Sequence, residues 1–110
     1  MGTTYRLLTV QDAYRTGFGL QLAPTIKLRH IEEMQPPHEP MPCEGDEVEL
    51  RLPGGEVRIA WIATFGIDAW KVGDVYVSDS DPNDPSLTLS LAGALTPADV
   101  PAGTEVWRLG

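Results

Sequence analysis

The chain has 110 residues, 42% of them hydrophobic and 22% charged, which predicts one folded domain spanning residues 1–110 and excludes a disordered chain. Sixteen acidic residues against eight Lys and Arg give a formal net charge of −8, which argues against nucleic-acid binding through a broad basic face. Cys43 is the single cysteine, so an intramolecular disulfide and a cysteine-based zinc cage are excluded, and a reducing, cytoplasmic setting is favoured.

Short apolar stretches between glycines and prolines predict a chain built of strands rather than long helices. Residues 5–10 and 13–15 are predicted to form a first strand that is kinked near Asp12. Residues 19–26 read as an edge strand or a bulged strand, because Pro24 has no amide proton to donate to a neighbouring strand. Residues 34–45 contain four prolines and are predicted to be an exposed loop.

The clearest predicted feature is a hairpin in the middle of the chain. Residues 47–52 alternate apolar with charged side chains, as in a strand with one buried face and one face in water. Residues 53–55 (PGG) form a tight turn, and residues 56–65 return as the partner strand. The predicted inward set of this second strand is Val57, Ile59, Trp61 and Ala63.

Two further strands are predicted near the C-terminus, at residues 87–91 and 103–109. Between them, Thr96 and Pro97 have the pattern of a helix start and Pro101 stops the helix, so one short helical turn is expected near residues 97–100. Residues 78–86 are predicted to be a polar, exposed loop. Several short strands joined by such turns favour a closed barrel, because closure removes the unpaired edges of a small sheet.

A series of motifs in the chain resembles domain 2 of elongation factor Tu, a translation-factor β-barrel. They are residues 8–14 (LTVQDAY) with 17–19 (GFG), 45–50 (GDEVEL), 91–95 (LAGAL), 99–100 (DV) and 103–106 (GTEV). The C-terminal stretch looks like that of small stand-alone bacterial versions of this barrel. The resemblance implies an all-β fold with a single six-stranded Greek-key β-barrel. It implies no nucleotide hydrolysis, since the chain has no P-loop pattern, and no RNA-contacting residue, since Phe18 stands where the family often has Arg.

Residue types that bind metals occur in the chain without the spacing of a metal site. His30, His38 and Cys43 are ligands that zinc or copper accept, but they match no compact ligand pattern. Residues 79–84 (DSDPND) resemble the start of a calcium loop, yet position six lacks the required glycine and Ser90 stands where position twelve needs Glu. We therefore expect no metal ion and no cofactor.

No group of residues has the arrangement of a catalytic site. Cys43 could act as a nucleophile with His38 as its base, but a proline-rich loop is a poor scaffold for the fixed geometry that such a pair needs. We expect a protein that is not an enzyme and has no catalytic residue.

Aromatic residues supply the candidate binding site. Trp61 and Trp107 are predicted to be core residues. Trp70 lies where strands give way to a loop and is flanked by Asp68, Lys71 and Asp74. It either caps one mouth of the barrel, which the sequence favours, or forms a protein-binding hot spot. The candidate protein-binding residues are Phe18, Asp68, Trp70 and Asp74.

Charge is unevenly distributed along the chain. Residues 1–31 have four basic residues and one acidic residue, a net +3, so the remainder has a net −11. Residues 32–49 contain seven acidic residues and neither Lys nor Arg. Such a surface suits a basic protein partner through electrostatic steering, and it also serves solubility.

The leading interpretation is a non-enzymatic β-barrel module that binds another protein, in one version an acidic inhibitor or immunity-type protein that caps a basic effector. The first alternative, a translation-associated RNA-binding domain, predicts that the basic residues of segment 1–31 gather beside an exposed Phe18. The second alternative is a small-molecule or metal-binding barrel. No apolar run is long enough to cross a bilayer and the N-terminus lacks a secretory pattern, so we expect a cytoplasmic protein without membrane contact. The sequence makes no prediction of the oligomeric state.

Overall fold

The computed structural model describes residues 4–67, 70–73, 75–77 and 84–109, and for 70–72 and 75–77 it describes the backbone alone. The strands in these ranges are β1 (Tyr5–Thr9), β2 (Asp12–Thr16), β3 (Gly19–Lys27), β4 (Glu47–Arg51), β5 (Val57–Ile67), β6 (Trp70–Val72), β7 (Val75–Val77), β8 (Ser86–Leu91) and β9 (Glu105–Arg108). Helix α1 spans Leu28–Met34, and a 3-10 turn spans Pro97–Asp99. Neither of these helical segments of the described chain has the length or apolarity to cross a membrane.

Seven of the strands form one antiparallel sheet in the order β1-β9-β4-β5-β8-β3-β2, while β6 pairs with β7 separately. The sheet is curled into a half-barrel. Strand β1, at one end of the sheet, also contacts β3, which lies next to the other end. Of the predicted all-β barrel, the β-rich, barrel-like character is thus confirmed as an antiparallel half-barrel, with one helix in addition.

The predicted first strand is in fact two strands at opposite ends of the sheet. The main chain of Val10 still bonds the loop before β9, since its N–H donates to Thr104 and its C=O accepts from Gly103, both at 2.8 Å. One residue later, the N–H of Gln11 donates to the carbonyl of Ala23 in β3, again at 2.8 Å. The predicted kink is therefore a crossing from one end of the sheet to the other.

Apolar residues that alternate along the strands fill the core. Val48 and Leu50 of β4 are buried, and so are Leu87, Leu89 and Leu91 of β8, as their alternation predicts. Each such side chain contributes about 1.5–3 kcal/mol by leaving water, which makes these strands the main source of stability.

The return strand of the hairpin lies where it is predicted, but its predicted inward set is wrong. Val48 pairs with Ala60, so Ala60 faces the core, and so does Ile62 two residues later; they are 3% and 1% exposed. The residues predicted to face inward lie on the opposite face and are 54%, 45% and 49% exposed: Val57, Ile59 and Trp61. Ala63, the fourth member of the predicted set, is half-buried. Because side chains alternate along a strand, an error of one residue exchanges its two faces.

Strand β3 contains the bulge that Pro24 predicts. Its pairing with β8 shifts register between Leu22 and Ile26. It is an edge strand only in its second half, because β2 covers it from Gly19 to Ala23.

The predicted helical turn is present and capped. The carboxylate of Asp99 accepts hydrogen bonds from the N–H of Thr96 at 2.7 Å and from its hydroxyl at 3.0 Å. These bonds satisfy donors that a helix start leaves open, so the turn forms without a longer helix behind it.

Helix α1 is not predicted by the sequence, because its seven residues bury only Ile31. Gln35, just after it, is 8% exposed and ties the following loop to the sheet. Its side-chain oxygen accepts hydrogen bonds from the Tyr5 hydroxyl, at 2.8 Å, and from Arg108, while its amide donates to the carbonyl of Glu39 at 3.3 Å. The proline-rich loop is therefore anchored at a buried residue rather than exposed throughout. Of the other predicted loop, residues 78–83 lie outside the described residues.

Candidate functional site

The outer face of β5 carries three exposed apolar side chains in a row, Val57, Ile59 and Trp61, which we call the β5 outer row. Their cross-strand neighbours on β4 are Arg51, Glu49 and Glu47, respectively. Apolar side chains left in water stabilise the fold little, and neighbouring ones form the kind of patch that marks a contact site.

Trp107 lies on the same outer face, so its prediction as a core residue is also wrong. It pairs with Glu49 and is half-buried. The guanidinium carbon of Arg51 is 4.0 Å from the Trp107 ring centroid, and the indole N–H donates to Glu105 at 3.0 Å. Arg51 also donates to Glu49 at 2.7 Å. These contacts cover the outer face over β9 and β4, and the β5 outer row has no comparable cover among the described residues.

Phe18, one of the predicted binding residues, is 75% exposed at the tip of the turn between β2 and β3. The hydroxyl of Thr16 fixes this turn, since it accepts from the N–H of Phe18 at 3.1 Å and donates to the carbonyl of Gly19 at 3.2 Å. Gly19 has a φ of +136° and lies where a Cβ would collide with the carbonyl oxygen of Leu91, so glycine lets the turn approach β8. Phe18 and Trp61 line one open groove of about 630 Å³.

The rim of this groove, which we call the Phe18–Trp61 groove, is acidic. Glu44 is among its lining residues, and Glu47 lies beside Trp61 on β4. Neither Lys nor Arg occurs among the described residues that line it. Exposed aromatic side chains rimmed by carboxylates suit a partner surface with an apolar centre and cationic neighbours.

Of the four predicted binding residues, the structure describes the side chain of Phe18 alone. Asp68 and Asp74 lie outside the described residues. Trp70 begins β6 and pairs with Val77, and the description covers its backbone alone. The structure thus places Phe18 beside Trp61, and a single site formed by Phe18, Asp68, Trp70 and Asp74 stays a prediction.

The basic residues of the N-terminal segment lie on β1, β2, the end of β3 and α1 rather than in one group beside Phe18. Arg6 forms an ion pair with a glutamate of β9 at 3.6 Å. Arg15 donates to two carbonyl oxygens of residues 93–95, at 3.0 and 3.2 Å. Lys27 is at the opposite end of β3 from Phe18. This distribution lacks the continuous basic surface that tracks a phosphate backbone.

The residues considered for metal binding and catalysis do not form a cluster. No group of three His, Cys, Asp or Glu side chains in the described part of the chain could hold a metal ion. His30 lies on α1, where its ring nitrogen Nε2 is 2.8 Å from the carbonyl oxygen of Arg6, and His38 is exposed in the loop. The carboxylate of Asp46, 3.6 Å from the Cys43 sulfur, raises the pKa of the thiol. The reactive thiolate is therefore disfavoured.

A second, neutral depression of about 320 Å³ lies beside Phe18 over β3, β8 and β5. The polar side chains that line it are Gln21, Thr64, Thr88 and Ser90. The hydroxyl oxygen of Thr88 is buried without a hydrogen-bond partner among the described residues. Hydroxyl and amide groups of this kind suit a small uncharged polar ligand. Of the features described here, this depression agrees best with the small-molecule alternative.

Comparisons of the chain with protein-family models, with curated proteins and with solved structures found no match. The resemblance to domain 2 of elongation factor Tu therefore rests on the sequence motifs, and no family is assigned to the chain.

Proposed function

We propose that the chain is a non-enzymatic protein-binding module that docks a basic partner protein on the β5 outer row and the Phe18–Trp61 groove. The observation that carries this proposal is the exposure of Trp61, Ile59 and Val57 on one face, together with that of Phe18. Tryptophan is the residue type most enriched among binding hot spots, and these side chains need no rearrangement to become accessible.

Charge supports a basic partner. The chain has a formal net charge of −8, and its acidic residues 44–49 border the groove and the outer row. Complementary charge raises the rate of encounter and excludes acidic competitors. The sharper form of the proposal is an acidic inhibitor or immunity-type protein that caps a basic effector in a reducing, cytoplasmic setting.

A closed six-stranded Greek-key barrel, related to domain 2 of elongation factor Tu, is the scaffold in this proposal, with β1 and β2 counted as one strand that crosses at residues 10–11. Its support is the short crossing at residues 10–11, which brings the two ends of the sheet together, and the contact between β1 and β3. An experimental structure in which β1 and β3 exchange no contacts would count against closure.

Affinity capture from the source-cell lysate, at low and at moderate salt, tests the function. The baits are the wild-type chain, Trp61→Ala, Trp70→Ala and the control Met34→Ala, which removes an exposed apolar side chain of α1 outside the proposed surface. We expect a basic protein to be retained by the wild type and the control. Trp61→Ala is expected to weaken its binding about thirtyfold, the effect of losing one hot-spot side chain.

The other outcomes separate the competing interpretations. Loss of the partner with Trp70→Ala alone would move the site to the residues around Trp70. Recovery of RNA that survives Trp61→Ala would favour the translation-associated alternative. Recovery of no basic protein at low salt, where charge steering is strongest, would contradict the proposal.

A further inference from the structure

Strand β5 changes its neighbours halfway along its length. Residues 57–61 pair with β4 on one side, and residues 62–67 pair with β8 on the other side. The first half of β5 therefore has a second side that β8 does not reach. We call this side of residues 57–59 the open edge.

The hydrogen bonds show which main-chain groups face the open edge. Successive residues of an antiparallel strand point their N–H and C=O alternately to the two sides. Toward β4, Leu52 donates to the carbonyl of Glu56 at 2.8 Å, and Ile62 donates to the carbonyl of Asp46 at 2.9 Å. In the part of β5 next to β4, Arg58, Ala60 and Ile62 therefore bond β4, and Val57, Ile59 and Trp61 face away.

Trp61 marks where the open edge ends. Its carbonyl faces away from β4 and accepts the N–H of Ala92 at 2.8 Å. Val57 and Ile59 have no main-chain partner on that side within the described part of the chain. Among the described residues, the N–H and C=O groups of Val57 and Ile59 are thus unpaired on this side and could bond another strand. The side chains of the same two residues are apolar and exposed.

We infer that the open edge of β5 takes up an extended, cationic segment of the partner as an additional antiparallel strand, an inference that rests on the proposed function and names the form of its partner. A peptide residue opposite Ile59 would exchange two hydrogen bonds with it, and one opposite Val57 would do the same. The side chains of these two peptide residues share the outer face with the β5 outer row, so they are apolar and preferably β-branched.

Charge selects cationic residues at the alternating positions of that segment. The peptide residue between the two apolar ones lies opposite Arg58. The guanidinium of Arg58 is 3.2 Å from Glu56 and 3.7 Å from Asp99, so these three side chains have a net charge of −1. A lysine there meets a net negative group, and an acidic residue would be repelled.

A second copy of the chain fits the open edge poorly when β5 pairs with itself about Ile59 or about Arg58. Two β5 strands paired about Ile59 would place Val57 of one copy opposite Trp61 of the other, where Ala92 already lies. Pairing about Arg58 would bring the two groups formed by Arg58, Glu56 and Asp99 opposite each other, and since each has a net charge of −1 they would repel. Each copy also has a net charge of −8.

Peptide binding followed by nuclear magnetic resonance on the full chain tests the inference. The probe is a seven-residue peptide of alternating lysine and valine, blocked at both ends, with lysine at both termini. Two matched versions carry N-methyl groups, one on the valines, whose N–H groups would bond β5, and one on the lysines, whose N–H groups would point away. A fourth peptide has glutamate in place of lysine.

We expect the unmodified peptide and the version methylated on lysine to bind, and to slow hydrogen exchange at the amides of Val57 and Ile59 about tenfold or more. The amides of Arg58 and Ala60, which already face β4, are the internal controls. The version methylated on valine and the glutamate peptide are expected not to bind.

Equal binding of the two methylated peptides, or binding that leaves the Val57 and Ile59 amides unprotected, would overturn strand addition. If the peptide bound in either of these ways and its binding were still lost in Trp61→Ala, the peptide would dock on the β5 outer row without adding a strand. Failure of the unmodified peptide to bind at millimolar concentration would overturn the inference as well, and the affinity capture would still decide the proposed function.

Discussion

Ile62→Ala is expected to destabilise the domain by about 3 kcal/mol, whereas Ile59→Ala on the same strand is expected to cost about 1 kcal/mol or less. The substitution removes three carbons in both cases, worth about 0.8 kcal/mol each when they are fully buried. Ile62 is 1% exposed, so the full loss applies and a cavity adds to it. Ile59 is 45% exposed, so about half of the transfer loss applies and no closed cavity forms.

Urea unfolding followed by circular dichroism measures both values, with the unfolding slope as the check that the variants remain two-state. Thermal midpoints should fall by about 4–8 °C for each kcal/mol, so the two variants are readily separated. A loss at Ile59 equal to that at Ile62 would mean that Ile59 is buried as deeply as Ile62, and a larger loss would mean that the two faces of β5 are exchanged. The proposed docking surface and the strand-addition inference would then both fail.

Two further variants test the turn that holds Phe18 and the capped helical turn. Gly19→Ala is expected to lower the free energy of unfolding by about 1–3 kcal/mol, because it puts a Cβ at φ +136° against the Leu91 carbonyl. The control Gly17→Ala has open space around it and should be near neutral. Equal thermal midpoints of the two variants would contradict this prediction. The hydrogen bonds from Thr96 lower the pKa of Asp99 below its usual 3.8, so Asp99 stabilises the folded state above that pH, and the contribution is lost as pH falls through the folded pKa. The free energy of unfolding of Asp99→Asn should therefore lie below that of the wild type at neutral pH, and the difference should shrink as the pH is lowered. A difference that does not change with pH would contradict this reasoning.

The length of the hairpin turn predicts which face of β5 is buried, and it does so better than the hydrophobicity of the strand. The turn at residues 53–55 leaves Leu52 and Glu56 as the pair that closes the hairpin. Counting back from that pair sets Leu50 opposite Arg58, and hence every second residue of the returning strand on the core side. The bulk of Val57, Ile59 and Trp61 suggests the opposite face. The large apolar side chains predict that residues 57–61 form a strand, whereas the turn predicts which of its two faces is buried.

Other parts of the fold depend on contacts between distant residues and have no local signal. The hydrogen bond of the Tyr5 hydroxyl to Gln35 spans 30 residues and turns a proline-rich loop into an anchored one. The crossing at residues 10–11 is set by partners in β3 and in the loop before β9. The Phe18–Trp61 groove likewise brings together residues that are far apart in the sequence, on the β2–β3 turn and on β5. The exposure of Phe18 could therefore be predicted, but its position beside Trp61 could not.

An exposed apolar row beside an unpaired strand edge is a hazard for a soluble chain, because such edges recruit other strands. Here the edge is short, since Ala92 closes it at Trp61. Glu56 lies at the start of the edge, and Glu47 and Glu49 lie on the other side of β5, on β4. Carboxylates in these positions oppose self-association of a chain with a net charge of −8. They leave one class of strand acceptable, a short cationic one with apolar residues in alternation. The same charges would therefore oppose self-association at this edge and select the cationic partner that we propose.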